Sequence, residues 1–173
     1  IRNKVAHFGT GDAEANKIAK MVSDMVLKTF DPMTTVREAK IIPGAFSYRD
    51  HEKHGRVTPA SPDGRKAGMP LNDGSSPVQG YDNMGPTLSL ASTVAWEPSR
   101  FLGGTAVNVK INKGVEPQKI AALIRGYMKT HGSQIQFNIV DSQTLIDAKK
   151  HPEMHKDLLV RIGGYSDFFV TIP

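Results

Sequence analysis

A Gly-Gly step at Gly163-Gly164 stands between an apolar run, Leu158 to Ile162, and an aromatic-rich one, Tyr165 to Phe169. A buried strand gains nothing from such a step, because glycine there costs conformational entropy and supplies no side chain to pack. The pair therefore marks a tight loop or a close approach of two backbones. The flanking runs must enter and leave that loop. This constrains the end of the chain more than any helix signal elsewhere.

The rest of the chain divides by hydrophobic period. Residues 12–30 read as a helix, with Asp12 as N-cap and Asp31-Pro32 as stop; Ile18, Met21, Val22, Met25, Val26 and Phe30 fall on one face, which predicts a core stripe. Lys40 to Tyr48 reads as a short buried strand running into a turn. Residues 55–87 are rich in Gly, Pro, Ser, Asp and Asn; composition alone suggests a linker, whereas the length argues for a functional loop. Thr105 to Ile111 predicts a strand on Val107, Val109 and Ile111. A helix then starts at Glu116-Pro117, with Ile120, Leu123, Ile124, Tyr127 and Met128 buried and Gly132 at the positive-φ position after it. Gln134 to Val140 alternates, with Ile135, Phe137 and Ile139 on one side and Gln136 and Asn138 on the other, as in a half-buried strand. Asp141 is placed to cap a short helix containing Leu145 and Ala148. Pro152 starts a turn before a strand over Leu158 to Ile162. Strands alternating with helices predict an α/β arrangement.

Composition narrows the function classes. The 173 residues suffice for one core, and no run is long and apolar enough to span a membrane. No signal-peptide pattern opens the chain. The formal charge is +5 with a pI near 9.5, but Lys and Arg are scattered among acids without interleaved aromatics, which predicts a solvated basic surface rather than a nucleic-acid or membrane partner. The absence of cysteine removes disulfides, thiolate metal sites and thiol nucleophiles from these residues. His151 and His155 are four apart but Pro152 lies between them, and His51-Glu52-Lys53-His54 has no metal spacing, so no metal site is expected and these histidines read as exposed loop residues. Gly9-Thr10-Gly11 and Gly103-Gly104 lack a phosphate-loop pattern, and no Gly-x-Ser-x-Gly elbow is present.

Arg161-Ile162-Gly163-Gly164-Tyr165-Ser166, with Phe169 beyond, resembles the signature of the glycyl radical enzymes, the pyruvate formate-lyase and glycerol dehydratase family. Three further blocks resemble that family in the same order. Pro62-Asp63-Gly64-Arg65, Pro70-Leu71-Asn72-Asp73-Gly74-Ser75-Ser76-Pro77 and Gly85-Pro86-Thr87 form one. Gln134-Ile135-Gln136-Phe137-Asn138-Ile139-Val140-Asp141, followed by Thr144-Leu145 and His151-Pro152-Glu153, forms another. Phe8-Gly9-Thr10-Gly11-Asp12 is a weaker match.

The resemblance implies that Gly164 stores a backbone radical, which only glycine can hold planar and delocalised between its amide neighbours. It implies an activating enzyme, with an iron–sulfur cluster and S-adenosylmethionine, that removes the Gly164 hydrogen. In the family the glycyl radical takes hydrogen from a cysteine on an upstream loop, and the thiyl radical attacks substrate. That cysteine is missing from these residues. The chain is therefore expected to be the C-terminal part of a ten-stranded α/β barrel, with the radical loop at its C-terminal end and its final segment cut short. Residues 1–130 would be barrel and 131–173 the glycyl radical domain. Arg161, Gly163, Tyr165 and Ser166 would support the radical loop. Phe46, Ser47 and Tyr48 would line the substrate pocket, or Phe46 and Tyr48 would merely pack. An anaerobic cytoplasm, a homodimer when complete, and a lyase of the dehydratase branch are implied, inactive as this piece alone. The rival reading is a stand-alone spare subunit that restores an oxygen-damaged enzyme without catalysis of its own. Gly163, Ser75 and Asp167 depart from the family, which often has Ala, Ile and Ala there.

Overall fold

The computed structural model describes residues 4–48, 50–161 and 165–172. Helix α1 (Ala13–Phe30) is capped as its sequence predicts, the Asp12 carboxylate accepting the Ala15 N–H at 2.9 Å. Of the predicted face, only the Val26 edge packs against the cluster around Leu27. Ile18, Met21, Val22 and Met25 are each more than half exposed, whereas Ser23 and Leu27 are buried. Polar anchors decide the rotation. Ser23 Oγ donates to the Trp96 carbonyl at 2.8 Å. Leu27 packs with Trp96 and Phe101 in a small apolar cluster. Lys20 bridges Asp24 at 3.2 Å and Glu97 at 3.0 Å, while Arg100 reaches both carboxylates.

Two helices lie where the sequence reading assigns none. Helix α2 (Asp50–Val57) is short and polar and gives no apolar period. Its Gly55 sits so close to the following loop that a Cβ would stand 2.4 Å from the Met69 carbonyl oxygen. Helix α3 (Pro86–Ala95) is built from small residues and packs against α1. Ser92 and Thr93 are fully buried in it, with Thr93 Oγ1 donating to the Leu90 carbonyl and Ser92 Oγ accepting the Gly11 N–H. Such hydroxyls bury cheaply because each finds a partner.

The centre is a β–α–β unit. Strand β1 (Asn108–Ile111) pairs in parallel with β2 (Gln136–Ile139) in the register Asn108↔Gln136 to Ile111↔Ile139, and helix α4 (Pro117–Lys129) makes the crossover. Leu90, Val107, Val109, Ile111 and Tyr127 form the main core, with Ile120, Leu123, Ile135 and Phe137 packed against it. The alternation over 134–140 holds only in part, since Gln136 is buried and Ile139 is half exposed.

The end of α4 corrects one detail. His131, not Gly132, takes the left-handed conformation, at φ 67°. The Gly132 N–H bonds the Tyr127 carbonyl at 2.9 Å and the His131 N–H that of Met128 at 3.1 Å, the paired bonds of a Schellman cap. Gly132 is required for space instead: a Cβ there would lie 2.4 Å from the Tyr127 ring.

The strand expected over residues 40–48 reduces to two isolated bridges, Thr34↔Lys40 antiparallel and Ala45↔Thr105 parallel. Pro43 supplies no N–H to a ladder, and Tyr48 turns away at φ 46°. Asp141 caps α5 (Ser142–Lys150) by accepting the Gln143 and Thr144 N–H groups. A 3-10 turn (Pro152–Met154) leads to β3 (Leu159–Arg161), which pairs antiparallel with β4 (Ser166–Phe168).

Candidate radical-loop site

The β3–β4 hairpin carries the motif that the sequence reading singled out. Its register is Leu159↔Phe168, Val160↔Asp167 and Arg161↔Ser166. Gly163 and Gly164, the expected loop-support and radical residues, lie outside the described residues. Arg161, Tyr165 and Ser166 frame them. Arg161 is at the outer edge of the hairpin, and both of its main-chain polar groups go to one side chain. Asn138 Nδ2 donates to the Arg161 carbonyl at 2.8 Å, and the Arg161 N–H donates to Asn138 Oδ1 at 2.9 Å. The Arg161 guanidinium reaches Gln136 Oε1 at 3.3 Å through Nε, and Ser166 Oγ at 3.4 Å through Nη1. Asp167, which departs from the family pattern, closes the far side: its Oδ1 accepts the Phe168 N–H at 2.8 Å and the Thr171 hydroxyl at 3.3 Å.

A groove of about 870 Å³ runs beside the hairpin, walled by Arg161 and Val160, by β1 and β2, and by the loop over residues 63–82. That loop is ordered by its own polar groups despite its linker-like composition. Arg65 donates to the carbonyls of Met69 at 2.7 Å, Lys66 at 3.2 Å and Thr58 at 3.4 Å, and also to that of Pro59. A five-donor planar fork is suited to gathering several carbonyls in this way. Asp63 is held below the usual carboxylate range, chiefly by a hydrogen bond from Ser61. Further along, Asn108 Nδ2 donates to Asp73 Oδ2, the Ser75 N–H and hydroxyl both donate to the Ala106 carbonyl, and Ser76 Oγ accepts the Asn108 N–H at 2.9 Å. Gly74, at φ 56°, could not carry a Cβ, which would meet the Ala106 carbonyl oxygen at 2.6 Å.

The three expected pocket residues part company. Phe46 and Tyr48 meet edge to face, with ring centroids 5.1 Å apart, and each is about half exposed. Ser47 turns to the loop. Its hydroxyl donates to Asp73 Oδ1 at 3.0 Å, accepts the Gly74 N–H at 3.0 Å and lies 3.3 Å from His51 Nδ1. Because the one hydroxyl proton goes to Asp73, the His51 contact requires hydrogen on Nδ1.

His51 is thus a half-buried helix residue rather than an exposed loop one. His155 likewise faces Asp147, with 2.7 Å between Nε2 and Oδ2, and that hydrogen bond lowers the Asp147 pKa. Among the described residues, no group of three or more His, Cys, Asp or Glu could hold a metal, and no helix is long and apolar enough to cross a membrane. The tasks of Arg65, Gln136 and Asn138 emerge only in the folded chain. The available signal is two carboxamides two positions apart, on one face of the strand that precedes α5 and the radical motif.

Comparison with known proteins agrees with this geometry. The glycine radical family model matches residues 71–170. The chain is 42% identical over 135 residues to a probable dehydratase, YbiW, of Escherichia coli, covering 75% of this chain and 17% of that protein. It is 32% identical over 176 residues to the trans-4-hydroxy-L-proline dehydratase of Clostridioides difficile, covering 98% and 22%. The glycerol-bound B12-independent glycerol dehydratase of Clostridium butyricum superposes with a TM-score of 0.91 at 32% identity, covering 98% of this chain and 22% of that one. The chain thus spans about a fifth of the length of these relatives. With its motif, hairpin and matched span in agreement, the chain belongs to the glycyl radical enzyme family.

Proposed function

We propose that this chain is the radical-bearing C-terminal portion of an anaerobic glycyl radical lyase of the dehydratase type, with Gly164 as the radical residue. The observation that carries the reading is Gly164's position in the segment joining β3 to β4, inside the matched span, with Arg161 and Ser166 braced on either side. The surrounding residues fit a backbone radical: they hold the base of the loop through main-chain and amide contacts and need no side chain at the reacting residue. When formed, the radical supplies a hydrogen-atom acceptor for a cysteine thiol carried by the remainder of the enzyme.

This chain's own residues bind and orient. Arg161, Tyr165 and Ser166, with Gly163, support the loop. Arg65 and Asp73 stiffen the wall opposite. Phe46 and Tyr48 present aromatic faces to a small-molecule substrate, and Ser47 ties their segment to that wall. The partners are the N-terminal remainder with its cysteine loop and a radical S-adenosylmethionine activating enzyme with an iron–sulfur cluster. The complete protein forms a homodimer of ten-stranded barrels in an anaerobic cytoplasm. Residues 131–173 are the radical domain in function, although β2 pairs with β1 across that boundary.

The test is anaerobic activation of the full-length protein followed by electron paramagnetic resonance. A doublet that collapses on deuteration of glycine Cα and is missing from Gly164→Ala is the expected result. No signal from the activated wild type would overturn the assignment. A radical without turnover, together with rescue of an oxygen-damaged partner, would favour the spare-subunit role.

A further inference from the structure

We propose that Asn138 is the positioning residue of the radical loop, a side-chain stand-in for a strand that sets where the β3–β4 hairpin rests. The proposal builds on the radical role of Gly164. Strand β2 pairs through its main chain with β1, and β3 pairs with β4; among the described residues the two sheets are separate. The Asn138 carboxamide joins them at the main chain of Arg161, giving it one donor and one acceptor at 2.8 and 2.9 Å, as a neighbouring peptide group would.

The hairpin's own register explains why this joint is needed. The Phe169 N–H bonds the Leu158 carbonyl at 2.8 Å, so residues 158 and 169 face each other as a hydrogen-bonded pair. Alternation along the ladder then makes Arg161↔Ser166 a non-hydrogen-bonded pair, whose main-chain groups point outward. Without Asn138 the outward edge of Arg161 would have no partner for either group among the described residues. The choice of side chain follows. A carboxylate can only accept, a hydroxyl is too short to span both groups, and glutamine adds a methylene. Gln136, on the same strand face, adds a second tether through the Arg161 Nε at 3.3 Å.

Gly164 is three residues beyond Arg161 in the sequence. So short a tether leaves little slack, and a shift at Arg161 passes directly to the radical position. The attachment is also light. Among the described residues, side-chain hydrogen bonds from Asn138 and Gln136, rather than a ladder, link the hairpin to β2.

The experiment uses the full-length enzyme with Asn138→Ala and Asn138→Asp. Hydrogen exchange of the peptide covering residues 159–168 is measured before activation, and turnover per radical spin after it. Loss of both bonds in Asn138→Ala should speed exchange in 159–168 by about ten-fold or more, with residues 108–111 and 117–129 unchanged. Turnover per spin should fall by about the same factor, since radical and thiol no longer meet correctly. Asn138→Asp keeps the acceptor and should lie between Asn138→Ala and wild type.

Unchanged exchange with unchanged turnover per spin would overturn the proposal. So would a uniform rise in exchange across β1 and α4, which would make Asn138 a general stabiliser. Absence of any doublet in activated wild type would instead defeat the radical reading itself, and the exchange measurement, made before activation, separates the two failures.

Discussion

The β1–α4–β2 unit and the β3–β4 hairpin lie side by side but are held by different forces. The first is tied by a parallel main-chain ladder and closed over Leu90, Val107, Val109, Ile111 and Tyr127. Burial of that kind fixes position through many small contacts, none of them individually decisive. The hairpin contributes nothing to that core. It stands on Asn138, Gln136 and the Asp167 turn, and the loop facing it stands on Arg65 and Asp73. A scaffold of the first kind resists change; an attachment of the second kind can be adjusted one side chain at a time. For a loop whose function depends on placement, the second is the more tunable arrangement.

The contrast can be broken most strongly from the core side. Leu90→Ala should cost about 2–5 kcal/mol, and denaturant unfolding should show the loss as one cooperative shift in midpoint. Gly132→Ala should cost about 1–3 kcal/mol, because its Cβ would collide with a Tyr127 ring that has nowhere to go. A midpoint unchanged by either would mean that the β–α–β unit does not govern stability.

From the other side, Asp73→Ala removes the acceptor of Ser47 and Asn108 and should cost about 1–3 kcal/mol. Its signature should be local, with faster proteolysis in residues 63–82 before any global unfolding. Asp141→Ala, which deletes the cap on α5, should lower the unfolding midpoint by less than Asp73→Ala does.

The smallest effect should come from acid. Asp24 and Glu97 are held below their ordinary values of 3.8 and 4.5, Asp24 mainly by a hydrogen bond from Arg100 and Glu97 mainly by one from Lys20. Groups with lowered folded pKa values stabilise above their unfolded pKa and lose that contribution as pH falls through the folded one. The α1 junction should therefore loosen below about pH 4 and stay intact at neutral pH. Lys20, raised by the same contacts, gives its contribution below 10.5 and loses it above its raised value. Trp96, buried at that junction, offers a fluorescence readout, and an emission spectrum unchanged down to acid unfolding would count against the coupling.

What the sequence revealed follows the same division. The caps of α1 and α5 and the Pro start of α4 are local signals, and each appears where the pattern puts it; the strand expected over 105–111 shortens to β1, Asn108–Ile111. The radical motif is legible because its meaning depends on residue order alone. Helix α3 escapes because Ser89, Ser92 and Thr93 share its buried face with Leu90, and hydropathy counts hydroxyl residues as surface. The face of α1 is misjudged in part for the converse reason: period shows that a stripe exists, while Ser23 and the ion pairs with Glu97 and Arg100 decide what it meets. The tasks of Asn138, Arg65 and Asp73 are relations between distant segments, and no window of sequence contains both partners.

The exposed ridge on α1 has a practical consequence for anyone handling these residues. Ile18, Met21, Val22 and Met25 form a continuous oily strip. Prepared by themselves, the 173 residues carry an adhesive surface on an otherwise well-charged particle. Solubility should then fall with rising salt, as screening removes the repulsion that keeps copies apart while the strip remains. Dilute, low-salt buffer is the condition in which such a preparation should be stored.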